Sequence, residues 1–166
     1  MKEIERKFLV RDKSIIKNCP SDNIVQGYIA TSESGNTVRV RIINNSLGLL
    51  TIKGPSTGIA RVEIEVPIPC VEALELIKLC SEQIYKLRYE IKEGGHTWYV
   101  DKYKDVNEGL MVAEIEFKDM NTEVHVPDWI GTEITHLPHY YNSNISITPF
   151  CKWSVSVLET HHQGEQ

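Results

Sequence analysis

Apolar and polar residues alternate with a period of two along most of residues 2–118. In residues 37–43, for example, Arg39 and Arg41 separate the apolar side chains of Val38, Val40 and Ile42. Successive side chains of a β-strand point to opposite faces of its sheet. The alternation therefore predicts strands that each have one apolar and one charged face.

About eight such runs follow one another, and short turn sequences such as residues 93–96 (EGGH) separate most of them. Short connections favour antiparallel neighbours, so the chain is predicted to form an antiparallel sheet. One segment departs from the alternation: apolar residues recur at helical spacing from Cys70 to Leu79, which predicts a helix. Residues 150–159 are compatible with either a helix or a strand, and the polar residues 160–166 are predicted to be a disordered tail.

The length of 166 residues fits one domain, which we place at residues 1–159. The net charge of −5 argues against a general nucleic-acid binder, although a local basic pocket for a small polyanion stays possible. The apolar runs are too short to span a membrane, and the N-terminus lacks the apolar core of a signal peptide. The four cysteines form no CxxC pair, so we expect reduced thiols and a cytoplasmic protein.

The polar faces of the predicted strands carry many charges of both signs. In the commonest case such a face is solvated, and this interpretation stays open at this point. Eight antiparallel strands can also close into a barrel, and closure would turn the charged faces inward. The acidic residues concerned are Glu3, Glu5, Glu63, Glu65, Asp101, Glu114 and Glu116, and the basic ones are Lys7, Arg39, Arg41, Lys53, Arg61, Lys86 and Arg88.

A lumen lined with so many ions would need matching ligands, because isolated buried charges are costly. Carboxylates bind Mg²⁺ or Mn²⁺, whereas arginine and lysine bind phosphates. A metal-bound polyphosphate would satisfy both sets of side chains. Neither a GxxxxGK[ST] nor a GxGxxG sequence is present, so a P-loop or Rossmann nucleotide site has no support.

Seven motifs in order resemble the CYTH family, also called triphosphate tunnel metalloenzymes. The first is the ExExK sequence of residues 3–7 (EIERK), and the last is the acidic strand at residues 109–116 (GLMVAEIE). The others are residues 38–41 (VRVR), 51–54 (TIKG), 61–65 (RVEIE), 86–89 (KLRY) and 98–101 (WYVD). The resemblance implies an α+β fold: a closed eight-stranded antiparallel β-barrel, or tunnel, with a few flanking helices.

The resemblance also implies a role for each charged residue in the binding and hydrolysis of triphosphates. The carboxylates that would bind Mg²⁺ or Mn²⁺ are Glu3, Glu5, Asp101, Glu114 and Glu116. The cations that would clamp the phosphates are Lys7, Arg39, Arg41, Lys53, Arg61, Lys86 and Arg88. The catalytic set would comprise Lys7, Lys86, Arg88, Glu63 and Glu65, with the two glutamates orienting a second metal ion or the attacking water.

The resemblance continues beyond the last predicted strand with one departure. Residues 129–135 (WIGTEIT) fit the family pattern, whereas residues 139–142 (HYYN) lack an arginine that many relatives have at this point. No site residue is therefore predicted in the C-terminal segment.

Several functions are compatible with this machinery. The leading interpretation is a metal-dependent hydrolase of triphosphates, most simply of inorganic tripolyphosphate. The alternatives are a class IV-type adenylate cyclase that makes cyclic AMP from ATP, a thiamine triphosphatase, and a non-catalytic module that binds polyphosphate or nucleotides. No set of residues can be assigned to a purine pocket, which disfavours the cyclase. We expect a small triphosphate as the partner, no nucleic acid and no membrane, and a homodimer is possible.

Overall fold

The computed structural model describes residues 2–55, 59–119 and 122–164, with the backbone alone for residues 2, 3, 160 and 162–164. The chain folds mainly as β-strands that are joined by short turns, as the alternation predicts. The strands are β1 (Lys2–Val10), β2 (Ser21–Thr31), β3 (Thr37–Ile43), β4 (Leu47–Lys53), β5 (Ala60–Ile68), β6 (Gln83–Glu93), β7 (His96–Tyr103), β8 (Met111–Phe117) and β9 (Ile130–Glu133). The helices are α1 (Cys70–Leu79), α2 (Asn142–Ile147) and α3 (Val155–Gly164), with 3₁₀ turns at Lys13–Ile16, Asp105–Asn107, Pro138–Tyr140 and Phe150–Lys152.

The strands form one antiparallel sheet in the order β5-β4-β3-β2-β6-β7-β8-β1-β9, and β5 also pairs with β1. This last pairing joins Ile4 to Ala60 and closes strands β1 to β8 into a barrel. The predicted closed eight-stranded antiparallel barrel is thereby confirmed. A ninth strand, β9, pairs with the second half of β1, where Phe8 lies opposite Glu133. It is only four residues long, too short to show a clear alternation.

The charged strand faces point into the barrel, and most of the apolar faces point outward. On one side, the outward-facing Phe8, Trp98 and Trp129 belong to an apolar cluster around β1, β7 and β8. On the other side, α1 covers the outer faces of β2, β3 and β4, and Val40 packs against Ala73 there. The barrel wall is therefore stabilised from outside, which leaves part of its interior for polar side chains.

The C-terminal segment fills one end of the barrel. Inward-facing apolar residues of the strands, such as Leu9 and Tyr103, pack there against Ile134, Ile145 and Trp153. The wall thus encloses a packed apolar end and a charged remainder.

The last helix extends beyond the predicted boundary of the ordered domain. It continues to Gly164, although residues from 160 onward were expected to form a tail. His161 is buried, lies 3.1 Å from the Tyr140 hydroxyl through Nδ1, and contacts the rings of Phe150 and Trp153. The polar composition of this segment gave no indication that His161 packs against aromatic side chains of the preceding segment. None of the described helices is long and apolar enough to cross a membrane.

Candidate active site

A cavity of about 540 Å³ lies inside the barrel and is lined mainly by charged side chains. The strands place these side chains there because their inward positions recur every second residue. Five carboxylates line it, Glu5, Glu63, Glu65, Glu114 and Glu116. Six cations join them, Lys7, Arg39, Arg41, Lys53, Arg61 and Arg88.

Strand register brings residues that are distant in sequence into direct opposition. On β1 and β8, Glu5 lies opposite Glu116 and Lys7 lies opposite Glu114. On β4 and β5, Lys53 lies opposite Glu63 and their side chains form an ion pair of 2.6 Å. Eleven of the charged residues expected from the sequence therefore surround one space.

The arginines of β3 carry positive charge that the protein compensates only in part. Arg39 donates through Nη2 to Glu65 Oε2 at 3.2 Å, while its buried Nε has no hydrogen-bond partner. Arg41 donates through Nε to the neutral Oε1 of Gln26 at 3.3 Å, and it makes no ion pair with any described residue. Burial and repulsion by Arg39 and Arg88 lower the pKa of Arg41 to about 10. An anion in the cavity would relieve this repulsion.

Cations contact the carboxylates of β1 and β8. Lys7 Nζ lies 2.5 Å from Glu114 Oε1 and 3.3 Å from Glu5 Oε1. Burial opposes the charge of Glu114, but Lys7 and Arg88 outweigh it and hold the pKa of this carboxyl well below its ordinary value. Burial likewise opposes the charge of Lys7, yet Glu114 and Glu5 raise its pKa. Arg61 donates to Glu5 at 2.9 Å, so Glu5 contacts both Arg61 and Lys7.

Two of the predicted site residues lie outside the cavity lining. Lys86 and Asp101 are fully buried, with Lys86 Nζ 2.5 Å from Asp101 Oδ2. Arg88 is the third member of this buried ion group, because its Nε and Nη2 each donate to an Asp101 oxygen at 2.7 Å. Burial lowers the pKa of Lys86 to about 7, although Asp101 opposes this shift. Burial also opposes the charge of Asp101, but Arg88 and Lys86 keep its pKa below the ordinary value.

The two residues lie beside the cavity and not on its lining, so phosphate binding by Lys86 and metal binding by Asp101, directly or through water, stay predictions. The apolar cluster formed with the C-terminal segment fills the end of the barrel beside them, where Tyr103 lies opposite Lys86. Asp101 also contacts Arg88, whose Nη2 reaches Glu114 Oε2 at 2.7 Å and which does line the cavity.

The carboxylates that remain in the cavity fit a hard divalent cation. Opposite residues of neighbouring antiparallel strands have Cβ atoms about 5 Å apart, so Glu5 and Glu116 can approach one ion together. Mg²⁺ commonly takes one or two carboxylates and completes its octahedron with water and substrate phosphates. Among the residues whose side chains are described, no three potential ligands are grouped to hold a metal by themselves. The Glu3 side chain lies outside the described residues.

The cavity lining includes residues to which the sequence assigned no chemical role. Tyr28 and Thr135 face it from β2 and from the residues after β9. A short C-terminal stretch also lines it, namely Tyr141, Asn142, Ser143 and Asn144. Alternation on β2 could have revealed Tyr28. The C-terminal residues have no strand periodicity and reach the cavity only through tertiary packing.

Comparisons with known proteins agree with this geometry. The CYTH domain family matches residues 1–146. An inorganic triphosphatase of Acetivibrio thermocellus is 44% identical over 151 residues, which cover 90% of this chain and 96% of that protein. The crystal structure of the inorganic triphosphatase NE1496 is similar with a TM-score of 0.64 and 26% identity, covering 87% of this chain and 97% of the other.

A more distant structure shares the fold alone. It is a putative adenylyl cyclase from Hippeastrum, described as having a dominant triphosphatase activity, with a TM-score of 0.51 and 15% identity over 70% of this chain and 80% of that one. The matched family spans most of the chain and includes the seven motifs that line or support the cavity. The protein therefore belongs to the CYTH domain family.

Proposed function

We propose that this protein is a divalent-metal-dependent triphosphatase whose preferred substrate is inorganic tripolyphosphate. The observation that carries the proposal is the cavity in which partly compensated arginines face ionised glutamates. A polyanion that brings its own metal ions would match both sets of charges. The relative named inorganic triphosphatase, at 44% identity, supports the same reaction.

The cations that line the cavity would bind the phosphates. Arginine suits this task because its guanidinium can donate two parallel hydrogen bonds to phosphate oxygens. Arg39 and Arg41 are the first candidates, since one has a buried Nε without a partner and the other has no ion pair among the described residues. The remaining phosphate ligands would be Lys7, Lys53, Arg61 and Arg88. Lys86 and Asp101 would hold Arg88 in place.

Hydrolysis would depend on positioning and on charge neutralisation, because phosphoryl transfer requires little covalent chemistry from the protein. A Mg²⁺ or Mn²⁺ ion held by Glu5, Glu114 and Glu116, together with Glu3, would supply Lewis-acid neutralisation of the phosphate oxygens. Glu63 and Glu65, on the opposite wall, would accept hydrogen bonds from the attacking water and orient it. Lys7 and Arg88 would stabilise negative charge that grows on the leaving phosphate.

The composition of the cavity wall favours tripolyphosphate over nucleotides. Tyr28 and Tyr141 are the only aromatic side chains among the described residues that line it. Both occur among charged or amide-bearing neighbours, so neither gives an apolar slot for a purine. An adenylate cyclase would need such a slot to orient the ribose hydroxyl against the α-phosphate.

A parallel assay of three substrates tests this proposal. Purified protein with Mg²⁺ or Mn²⁺ is given tripolyphosphate, ATP or thiamine triphosphate, and both phosphate and cyclic AMP are measured. We expect phosphate release, fastest from tripolyphosphate, and dependence on the metal. Cyclic AMP formed from ATP without phosphate release would identify a cyclase. Tight binding of all three without turnover would identify a binding module.

We also propose that the protein forms a homodimer through the outer face of β4 and β5. Ile52, Val62, Ile64 and Val66 lie there with 44–54% of their surface exposed. Together they present on the order of 300 Å² of apolar surface, a patch of the size that often marks an interaction site. A typical interface buries about 800 Å² per partner, and just over half of this area is apolar. The patch would supply most of that apolar area. An uncharged patch is also complementary to itself across a two-fold axis.

Sedimentation of Ile64→Lys tests the dimer. We expect the wild-type protein to sediment at twice the mass of one chain and the variant at the mass of one chain, with its activity retained. Val155→Lys is the matched control, because Val155 is 72% exposed elsewhere on the surface. A wild-type monomer, or a dimer that persists in Ile64→Lys, would contradict the proposed interface.

We place the protein in the cytoplasm and expect no nucleic-acid partner. All four cysteines are free thiols, and Cys151 is exposed, which suits a reducing compartment. Six of the 18 lysines and arginines line the cavity, where a duplex could not reach them, and the net charge of −5 disfavours a polyanionic surface partner.

A further inference from the structure

Asn142, the first residue of α2, links the cavity to the buried interior of the barrel. Its side chain lines the cavity, and its Oδ1 accepts a hydrogen bond of 2.7 Å from the Tyr103 hydroxyl. Tyr103 is 1% exposed, and the Nζ of Lys86 lies 5.6 Å from the centroid of its ring. The tyrosine is therefore fixed by packing, and it holds one end of the asparagine carboxamide.

The orientation of this carboxamide determines what it offers to the cavity. A carboxamide has one acceptor oxygen and one nitrogen with two donor hydrogens. The Tyr103 hydroxyl is the donor in its 2.7 Å hydrogen bond to Asn142, so the carboxamide oxygen is the atom that it engages. With the oxygen of Asn142 engaged, its Nδ2 remains as a donor, and none of the described hydrogen bonds uses it.

We infer that Asn142 is a substrate-binding residue whose Nδ2 donates to an oxygen of the bound triphosphate, and that Tyr103 is its positioning residue. This inference rests on the proposed function and adds a neutral donor beside the cations that line the cavity. Such a donor constrains where a phosphate oxygen lies without adding to the repulsion among the arginines. The site is thus completed by a residue of the C-terminal segment, 39 positions from Tyr103 in the chain.

The neighbouring Asn144 provides a matched comparison. It also lines the cavity, but its Nδ2 donates to the Pro138 carbonyl oxygen at 2.8 Å. Its amide is therefore engaged in a local turn. Replacing Asn142 or Asn144 by alanine removes the same atoms from the same wall, and only the first removes the donor that is directed by Tyr103.

Kinetics of four variants test the inference. A hydrogen bond to a charged group contributes about 1.5–3 kcal/mol, so we expect Asn142→Ala to raise KM for tripolyphosphate by at least about tenfold. Asn142→Asp keeps the acceptor for Tyr103 but places a carboxylate against the anion, and we expect a larger rise. Tyr103→Phe frees the carboxamide and should raise KM severalfold, while Asn144→Ala should change it less than twofold.

A binding measurement separates this inference from the proposed function. Calorimetric titration with tripolyphosphate in the absence of divalent metal reports anion binding alone, and thermal unfolding verifies that each variant is folded. Binding by the wild type without turnover when metal is added would overturn the triphosphatase and leave the role of Asn142 intact. Equal KM values for Asn142→Ala and Asn144→Ala, or wild-type binding by Asn142→Asp, would overturn the role of Asn142.

Discussion

The two halves of the barrel interior use charge differently. In the half formed by β6, β7 and β8, Asp101 is surrounded by Lys86 and Arg88 at 2.5–2.7 Å, and both Lys86 and Asp101 are fully buried. In the half formed by β3, β4 and β5, Arg41 has a neutral amide as its partner and faces the cavity. The buried charges of the first half are paired with one another, whereas Arg41 in the second half has no ion pair among the described residues.

This difference separates residues that build the site from residues that bind substrate. A fully paired buried ion group has little to offer a ligand, because each bond to the ligand would break one that already exists. An arginine without a counter-ion gains a partner on binding. The fully buried pair of Lys86 and Asp101 is therefore expected to be structural, and the less well paired arginines of β3 are the first place where phosphate is expected.

The largest effect on stability should follow from removing the carboxylate of the buried ion group in the half formed by β6, β7 and β8. Asp101→Ala leaves Lys86 and Arg88 buried without their carboxylate, and we expect it to destabilise the fold by about 3–5 kcal/mol. Urea unfolding measures this change. The double variant Lys86→Met with Asp101→Leu should recover much of the stability, since buried ion pairs can be replaced by apolar residues at little cost. A stable Asp101→Ala protein would show that the pair does not support the barrel.

A substitution in the half formed by β3, β4 and β5 should reduce the activity of the protein without reducing its stability. Arg41→Gln removes a charge that is repelled by Arg39 and Arg88, so we expect unfolding at the same or a higher urea concentration. The hydrolysis rate should fall by about 10²–10³, as for the loss of one transition-state donor. Steady-state kinetics on tripolyphosphate and urea unfolding are measured together. Destabilisation without a loss of rate would remove the distinction between the two halves.

Substitution of a proposed metal ligand should reduce turnover without weakening anion binding. Glu5→Gln keeps the size of the side chain but removes a proposed metal ligand, and we expect turnover to fall about 100-fold or more. Tripolyphosphate binding without metal should be equal or tighter, because one negative charge has left the cavity. Calorimetry and a titration of activity with Mn²⁺ measure the two effects. Activity equal to that of the wild type at low Mn²⁺ would exclude Glu5 as a ligand.

An exposed ion pair outside the cavity should give the smallest effect. The Arg6 guanidinium, through hydrogen bonds to Glu133, holds the pKa of that carboxyl below its ordinary value of 4.5. A lowered carboxyl pKa adds stability above the unfolded value and loses it as the pH falls through the folded value. Glu133→Gln should therefore cost less than about 1 kcal/mol at pH 7 and nothing at pH 2, as measured by urea unfolding at each pH. An equal cost at both pH values would indicate a packing effect.

Alternation along the strands was sufficient to predict most of the inward charges. Arg39, Arg41 and Glu63 lie where period two places them, because each strand is regular and one barrel face is inside. The same rule could not predict that Lys86 and Asp101 are sealed from the cavity. Their isolation depends on the C-terminal segment, which packs into the barrel end beside them.

The sequence was least informative after residue 118. The contact between His161 and Tyr140 and the bond between Tyr103 and Asn142 join residues 21 and 39 positions apart, with no periodic pattern to indicate them. Polar residues at these positions resemble an ordinary loop or tail until the fold brings them together. Local preferences determine the strands, whereas the closure of the site is a long-range property.

The placement of β1 has a consequence for synthesis of the chain. β1 leaves the ribosome before its partners β8, where Ile4 lies opposite Phe117, and β9, where Val10 lies opposite Ile130. At common translation rates these partners follow after on the order of 10 s. Until then β5 is the one described strand partner that β1 can pair with, and the charged face that carries Glu5 and Lys7 keeps the nascent segment hydrated. The residues proposed for metal binding would thus also protect the first strand from premature association.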